Sequence, residues 1–403
     1  MDQVGTFRRI ADVLRSAQRA AIEVENAPDK RKRLRTFSAQ EVAGLLGVPQ
    51  KALRLAATQI AVERPAAPRP RLTFGEMEAL RLVFHAASGG ARFVPRRDPG
   101  SNESLAVVAF TNFKGGSAKT TSSVHFAQCM ALSGYRVLLV DLDSQGSATA
   151  QFGIDPAAEV GVENSFAAWT AARDAGEGID ADGLCQATYW PAIDIVPAGA
   201  ALAAAEGALA ARAASGRAEA TLYFEELAAF LASVGHRYDV AVVDTRPDVN
   251  MLMTAALHAA TGIVVPTRAT MTDLASTGEF FAHLAGYVSE FRDAFGRDLG
   301  LGFTKILVSA YDPTDRSQEA LVALLRERFG DAVLPGEFLH SRVMGTAGFG
   351  KETLYEYEPS TDRTAYNRVL ASANAVNRGI ERELLKAWGR PAEKAGRREE
   401  ALA

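Results

Sequence analysis

Short apolar runs alternate with stretches of helical periodicity through the second two-thirds of the chain. The runs are residues 105–110, 136–141, 193–197, 239–244, 262–266 and 304–309, rich in Val, Ile, Leu and Ala. Such runs, bounded by turn residues, predict buried strands. Between them lie helical patterns such as 122–132, with Val124, Ala127, Gln128 and Ala131 on one face before Ser133-Gly134. The Ala-rich stretch 198–220 also predicts helix, because Ala is the best helix former. Strands joined by crossovers of this length demand a mostly parallel sheet flanked by helices.

The first hundred residues have a different pattern. Residues 3–24 place Val4, Phe7, Ile10, Ala11, Val13, Leu14, Ala17, Ala21 and Ile22 on one helical stripe, which packs either on its own chain or on a partner subunit. Ser38 and Glu41 have the spacing of a capping box. Val42, Ala43, Leu45 and Leu46 supply an inner face, Gly47 a tight turn, and a second helix begins near Pro49. This reads as a helix-turn-helix, with a plain helical hairpin as the alternative. Its outward positions Gln50, Lys51 and Arg54 are of the kinds that reach phosphates and base edges. Residues 63–71 are Pro-rich, and Thr73 to Glu76 open a third helix through Met77, Leu80 and Phe84. The expected layout is a helix in 1–34 that is a candidate dimerisation element, an all-α helix-turn-helix domain and linker in 35–100, an α/β domain in 101–390, and a flexible tail in 391–403.

Composition narrows the class. The chain has 403 residues, 48% apolar and 23% charged, as in soluble globular proteins. No apolar run approaches the length of a membrane helix, and the first residues lack a signal-peptide core. Cys129 and Cys185 stand apart, without metal spacing, as reduced cytoplasmic thiols do. Charge is unevenly divided. Residues 1–100 hold 18 Lys and Arg against 10 Asp and Glu, a balance of +8, and the remainder carries −12. A basic segment on an acidic body suggests a module with an anionic partner.

The densest chemistry lies in Phe110-Thr-Asn-Phe-Lys-Gly-Gly-Ser-Ala-Lys-Thr-Thr121, between a strand and a helix. Backbone N–H groups at a helix start surround an anion, and the helix dipole favours it. Gly115, Gly116, Ser117, Ala118 and Thr121 would line such a cradle. Lys119 would reach the β- and γ-phosphates, and Thr120 would ligate Mg2+. Two further strands end in carboxylates, Asp141 with Asp143 and then Asp244. Alternate residues share a side of a strand, and ligands sit at the carboxyl ends of parallel strands. One strand-end Asp is an ordinary turn residue, but three matched strand ends make a nucleotide site. Asp244 is then the second metal ligand.

The loop resembles the deviant Walker A motif of the ParA/MinD group, whose mark is a second lysine, here Lys114. The wider resemblance, over about residues 35–389, is to the RepA/ParA group of plasmid partition ATPases with an added amino-terminal DNA-binding domain. It rests on Asn112 to Ser117, Val140 to Gly146, Ile195 to Ala198 with Leu202 to Glu206, Tyr238 to Asp244, Ala259 to Arg268, Thr353 to Glu358 and Ala375 to Asn377. The resemblance implies a P-loop NTPase fold, ATP and Mg2+ as cofactors, and slow, partner-stimulated ATP hydrolysis. It implies a homodimer in which Lys114 crosses to the partner's phosphates, and a water positioned by Asp143. Lys114, Lys119 and Asp143 are thus the expected catalytic set. It also implies a ParB-type centromere-binding protein as partner, autorepression at an operator, and a cytoplasmic, nucleoid-associated life. Asp312 and Pro313, after Tyr311, stand where relatives contact the base. Arg316, Arg342, Lys351 and Arg368 are candidates for binding DNA of any sequence.

Departures from the pattern are Phe113 and Ala118 at its two glycine positions, and Thr245-Arg246-Pro247-Asp248 where two prolines are common. Two other readings compete. One is a membrane-positioning ATPase of the MinD type, using Leu384, Leu385 and Trp388. The other is a DNA-binding protein with an inactive nucleotide site.

Overall fold

The computed structural model describes residues 4–6, 8, 9, 13, 16, 32–60, 71–88, 92–101, 103–215, 222–341, 352–358 and 363–390. The chain divides into two compact units, Met1–Leu34 and Arg35–Ala403. In the first unit, the described residues from Val4 to Ser16 are helical.

The second unit opens with β1 (Phe37–Ser38), α1 (Ala39–Leu46), α2 (Gln50–Ala57), β2 (Arg71–Leu72) and α3 (Phe74–Ser88). The capping box forms as the sequence implies. The Glu41 N–H donates to Ser38 Oγ at 3.2 Å, and the Ser38 N–H donates to Glu41 Oε2 at 2.7 Å. Gly47 stops α1 at φ 61°, a conformation that costs glycine little. Val42, Ala43, Leu46, Leu53 and Ala56 are buried between α1, α2 and α3. The short antiparallel ladder of β1 with β2 is an addition to the all-α expectation.

Next come β3 (Ala106–Phe110), α4 (Lys119–Ser133), β4 (Val137–Leu142), α5 (Ser147–Gln151), α6 (Phe166–Ala175), β5 (Gln186–Ala187), β6 (Ile193–Val196), α7 (Leu202–Ser215) and α8 (Glu226–Val234). The chain finishes with β7 (Val240–Thr245), α9 (Met251–Ala259), β8 (Gly262–Arg268), α10 (Met271–Phe295), β9 (Phe303–Tyr311), α11 (Arg316–Phe329), β10 (Val333–Leu339) and α12 (Arg363–Ala387). One sheet takes the order β10-β9-β8-β3-β7-β4-β6-β5, and only β5 runs antiparallel to its neighbour. All six predicted strands appear, each within two residues of its expected ends. β10 escaped the sequence reading because Pro335-Gly336 interrupts it, which an edge strand tolerates.

Two features of this sheet place the site. β3 is central, so the loop after it opens between the carboxyl ends of β7 and β8. The pairing register also sets Phe110 beside Asp244, and Asp141 beside Asp244 on the far side of β7. Residues 107–109, 138–140, 241–243 and 263–265 are almost wholly buried. Each such aliphatic side chain contributes about 1.5–3 kcal/mol.

α4, which begins at the loop, is the most enclosed helix. Its carboxyl end is held by Arg81 of α3, itself 1% exposed, which donates to the carbonyls of Leu132, Ser133 and Phe93 at 2.6–3.0 Å. Its flank is held by residues 352–358. There the Leu354 N–H donates to His125 Nε2, and Thr353 Oγ1 donates to Gln128 Oε1. Gln128, Trp190 and Tyr189 all donate to the buried Glu356 carboxylate. Arg35 donates to the Tyr355 carbonyl, and Arg71 pairs with Glu358. The amino-terminal helices and the sheet therefore share contacts on α4.

Candidate functional site

The loop from Thr111 to Ala118 wraps the start of α4. Gly116 has φ 74° and Ala118 has φ 69°, so Ala118 takes the left-handed backbone that a glycine would adopt freely. Asn112 anchors the loop, donating to the Pro266 carbonyl at 2.8 Å and to Thr277 Oγ1 at 3.1 Å. Ser309 Oγ donates to the Ser117 carbonyl at 2.8 Å and ties β9 to the same loop.

Lys119 is nearly buried and donates to the Lys114 carbonyl at 2.9 Å. Burial pushes its pKa down to about 8, against the opposing pull of the Asp244 and Asp143 carboxylates. Lys114 is half-buried, and its Nζ lies 3.6 Å from Asp273 Oδ1. Asp273 stands in the first turn of α10, where Thr270 caps its N–H. Asp273 is not among the residues expected from the sequence, and its ion pair with Lys114 joins the loop after β3 to the helix after the neighbouring strand β8.

The carboxylates behave differently from one another. Asp141 is fully buried and accepts from the N–H groups of Asp143 and Thr149 and from Thr149 Oγ1, at 2.7–3.0 Å. It braces the loop after β4. Asp143 is half-buried, and its Oδ1 accepts from the Gln145 N–H. Asp244 is fully buried, and among the described residues neither of its oxygens has a donor in full hydrogen-bond geometry, the Thr120 hydroxyl standing only near enough to favour its charge. Burial raises its pKa and the Asp141 charge adds to this, while Thr120 and Lys119 act the other way. Thr111, Ser117 and Ser122 also bury hydroxyls without partners. Unsatisfied buried polar atoms are costly unless a ligand completes them. A hard cation takes oxygen donors such as the Thr120 hydroxyl and the Asp244 carboxylate, so the residues present fit ATP with Mg2+.

Other expected residues fall as follows. Asp312 and Pro313 follow β9, and Asp312 accepts from the N–H and hydroxyl of Thr314. Gln50, Lys51 and Arg54 are exposed on α2, while Leu53 and Ala56 between them are buried. Arg316 and Arg368 are exposed on α11 and α12. Arg342 and Lys351 lie outside the described residues, as do most of the Pro-rich stretch 63–71 and most of 3–24. Leu384 and Leu385 pack inward from α12, and Trp388 donates to the Ser104 carbonyl. Among the described residues no helix is long and apolar enough to cross a membrane.

A loop at the centre of a mostly parallel sheet, with a lysine at the helix start and an acidic strand end beside it, defines a P-loop NTPase. The family model described as "AAA domain" matches residues 105–299. A protein of Rhizobium rhizogenes named "Putative replication protein A" is 33% identical over 391 residues, 96% of this chain and 95% of that protein. The chromosome-partitioning ATPase Soj of Thermus thermophilus is 32% identical over 271 residues, 65% of this chain and 92% of that one. Among solved structures, one titled "Partition Protein" superposes with a TM-score of 0.60 at 18% identity, covering 86% of this chain and 99% of that one, which speaks for the fold. The chain belongs to the ParA-type plasmid partition ATPases.

Proposed function

We propose that the protein hydrolyses ATP slowly to drive DNA segregation, dimerising with ATP and releasing DNA after hydrolysis. The observation that carries this reading is Asp244, fully buried beside Lys119 and Thr120, with neither oxygen met by a donor in full hydrogen-bond geometry among the described residues. Bound Mg2+ supplies charge neutralisation on the phosphates. Thr120 and Asp244 would hold it, and the loop N–H groups with Lys119 would hold the phosphates. Asp143 would orient the attacking water. Lys114 would leave Asp273 and meet the partner's phosphates in the dimer. Residues 35–100 would form the operator-binding domain, reading bases through Gln50, Lys51 and Arg54, and a ParB-type protein would stimulate hydrolysis. Burial of Leu384 and Leu385 supports this reading over the membrane-positioning one.

The deciding measurement is the ATPase rate with and without non-specific DNA, in wild type, Lys114→Ala and Asp143→Ala. Lys114→Ala should bind nucleotide and stay monomeric with ATP. Asp143→Ala should accumulate as a DNA-bound dimer. A wild-type protein that failed to hydrolyse ATP under every condition would remove the enzymatic reading. Normal ATP-dependent dimerisation of Lys114→Ala would remove the cross-subunit role.

A further inference from the structure

The roles above leave Arg268, at the loop, without a part. Arg268 closes β8, which pairs with β3 on the side opposite β7. It is exposed, and among the described residues its guanidinium has no carboxylate or carbonyl partner. It does not lie away from the protein, however. Its Nη2 stands 3.5 Å from the point a Cβ on Gly116 would occupy, against the turn of the loop. The next residue, Ser117, buries a hydroxyl without a partner, and Ala118 and Lys119 follow at the helix start.

Arg246 gives the arrangement a rough symmetry. It is exposed, it also lacks a partner among the described residues, and it comes two positions after Asp244 at the end of β7. β8 thus ends in an arginine beside the loop, and an arginine also follows directly on β7 in the chain. Lys114, Lys119 and Arg268 gather at the loop, and among the described residues only Lys114 of these has a carboxylate within ion-pair distance. Like charges held close repel, and an anion placed among them relieves that repulsion. A guanidinium presents a planar fork of donors that matches phosphate oxygens, and contact with a phosphate is roughly twice as strong as a neutral hydrogen bond.

We propose that Arg268 reads the terminal phosphate of a nucleoside triphosphate held by the loop of its own chain, and sets the preference for triphosphate over diphosphate. This rests on the nucleotide reading given above. Asp273, paired with Lys114 on the neighbouring helix, would leave that phosphate to Arg268 until Lys114 is drawn away to the partner.

The test is a fluorescence titration of full-length wild type, Arg268→Ala and Arg268→Lys with N-methylanthraniloyl ATP and ADP in Mg2+. Arg268→Ala should weaken ATP binding about tenfold, some 1.4 kcal/mol, and change ADP binding less than about twofold. Arg268→Lys should recover part of the loss, because it keeps the charge without the fork. Unchanged affinities, or an equal loss for both nucleotides, would overturn the proposal. Wild type that bound neither nucleotide would remove the nucleotide reading itself, a result distinct from either.

Discussion

The two ends of α4 treat polar atoms in opposite ways. Around its first turn, the hydroxyls of Ser117 and Ser122 and both oxygens of Asp244 are buried without partners. From its middle to its last turn, His125, Gln128 and the terminal carbonyls are met by Leu354, Thr353, Glu356 and Arg81. Burial is similar throughout, so depth does not separate the two regions. What separates them is whether the chain supplies the partner. One end lacks partners among the described residues, and the other is completed by distant segments of the chain. The carboxylates on β4 and β7 repeat the contrast side by side, since Asp141 has three donors and Asp244 has none.

The largest effect should come from removing the unpartnered group. Asp244→Ala should lower ATP hydrolysis by roughly two orders of magnitude or more, about 2.7 kcal/mol of barrier. The ligand-free variant should be no less stable than wild type, because an uncompensated buried carboxylate is lost. Asp141→Ala should instead cost about 3 kcal/mol of stability through its stranded donors. Equal destabilisation by the two substitutions, in urea melts without nucleotide, would erase the contrast between them.

At the other end, Arg81→Ala should destabilise by about 3 kcal/mol, since it strands the Leu132, Ser133 and Phe93 carbonyls in a buried place. It should also change ATP binding, because α4 then loses its carboxyl-terminal anchor. Stability measured beside nucleotide affinity tests both parts. Loss of stability with unchanged affinity would mean that the two ends of α4 act independently.

A pH series reaches the flank of the same helix. His125 Nδ1–H donates to the Thr121 carbonyl while Nε2 accepts from Leu354, a pattern only the neutral ring can make. Burial pushes its pKa down to about 4, outweighing Thr121 and Glu356, whereas the unfolded chain protonates near 6.5. The stability this gives is therefore complete above pH 6.5 and is lost as the pH falls from 6.5 towards 4. A loss on the order of 2–3 kcal/mol is expected across that window. His258 is also lowered to about 4 by burial and contributes in parallel. The difference between wild type and His125→Gln isolates the His125 share, and parallel pH profiles would contradict it.

The smallest effect lies in the loop backbone. Ala118→Gly should stabilise the protein by about 1 kcal/mol, by relieving a left-handed alanine at φ 69°. A denaturant midpoint that failed to rise would show that the loop accommodates the methyl group without strain.

What the sequence made legible was local. The Ser38–Glu41 box, the stop at Gly134, the strand cores and the loop chemistry all depend on residues within a few positions of each other. Asp141 and Asp143 looked equivalent because alternation along a strand puts both on one side. Thr149, eight residues on, gives Asp141 two of its three donors, while Asp143 has the Gln145 N–H. Asp273 and Arg268 were out of reach for a different reason. They meet the loop from more than 150 positions away, brought there by the place of β8 beside β3. The docking of 352–358 on α4 is likewise a long-range match of donors to acceptors that no periodicity records.

The borders of the sheet have a consequence of their own. At one border β5 is only two residues long. At the other, Pro335 lacks an N–H to offer, and the register of β10 slips around Gly336 and Glu337. Neither border presents a long, even ladder onto which a second molecule could zip, which is how proteins avoid uncontrolled fibre growth. If the proposed function holds, copies gathered on one stretch of DNA would have little means of fusing sheet to sheet. Their association would be left to surfaces that nucleotide can switch.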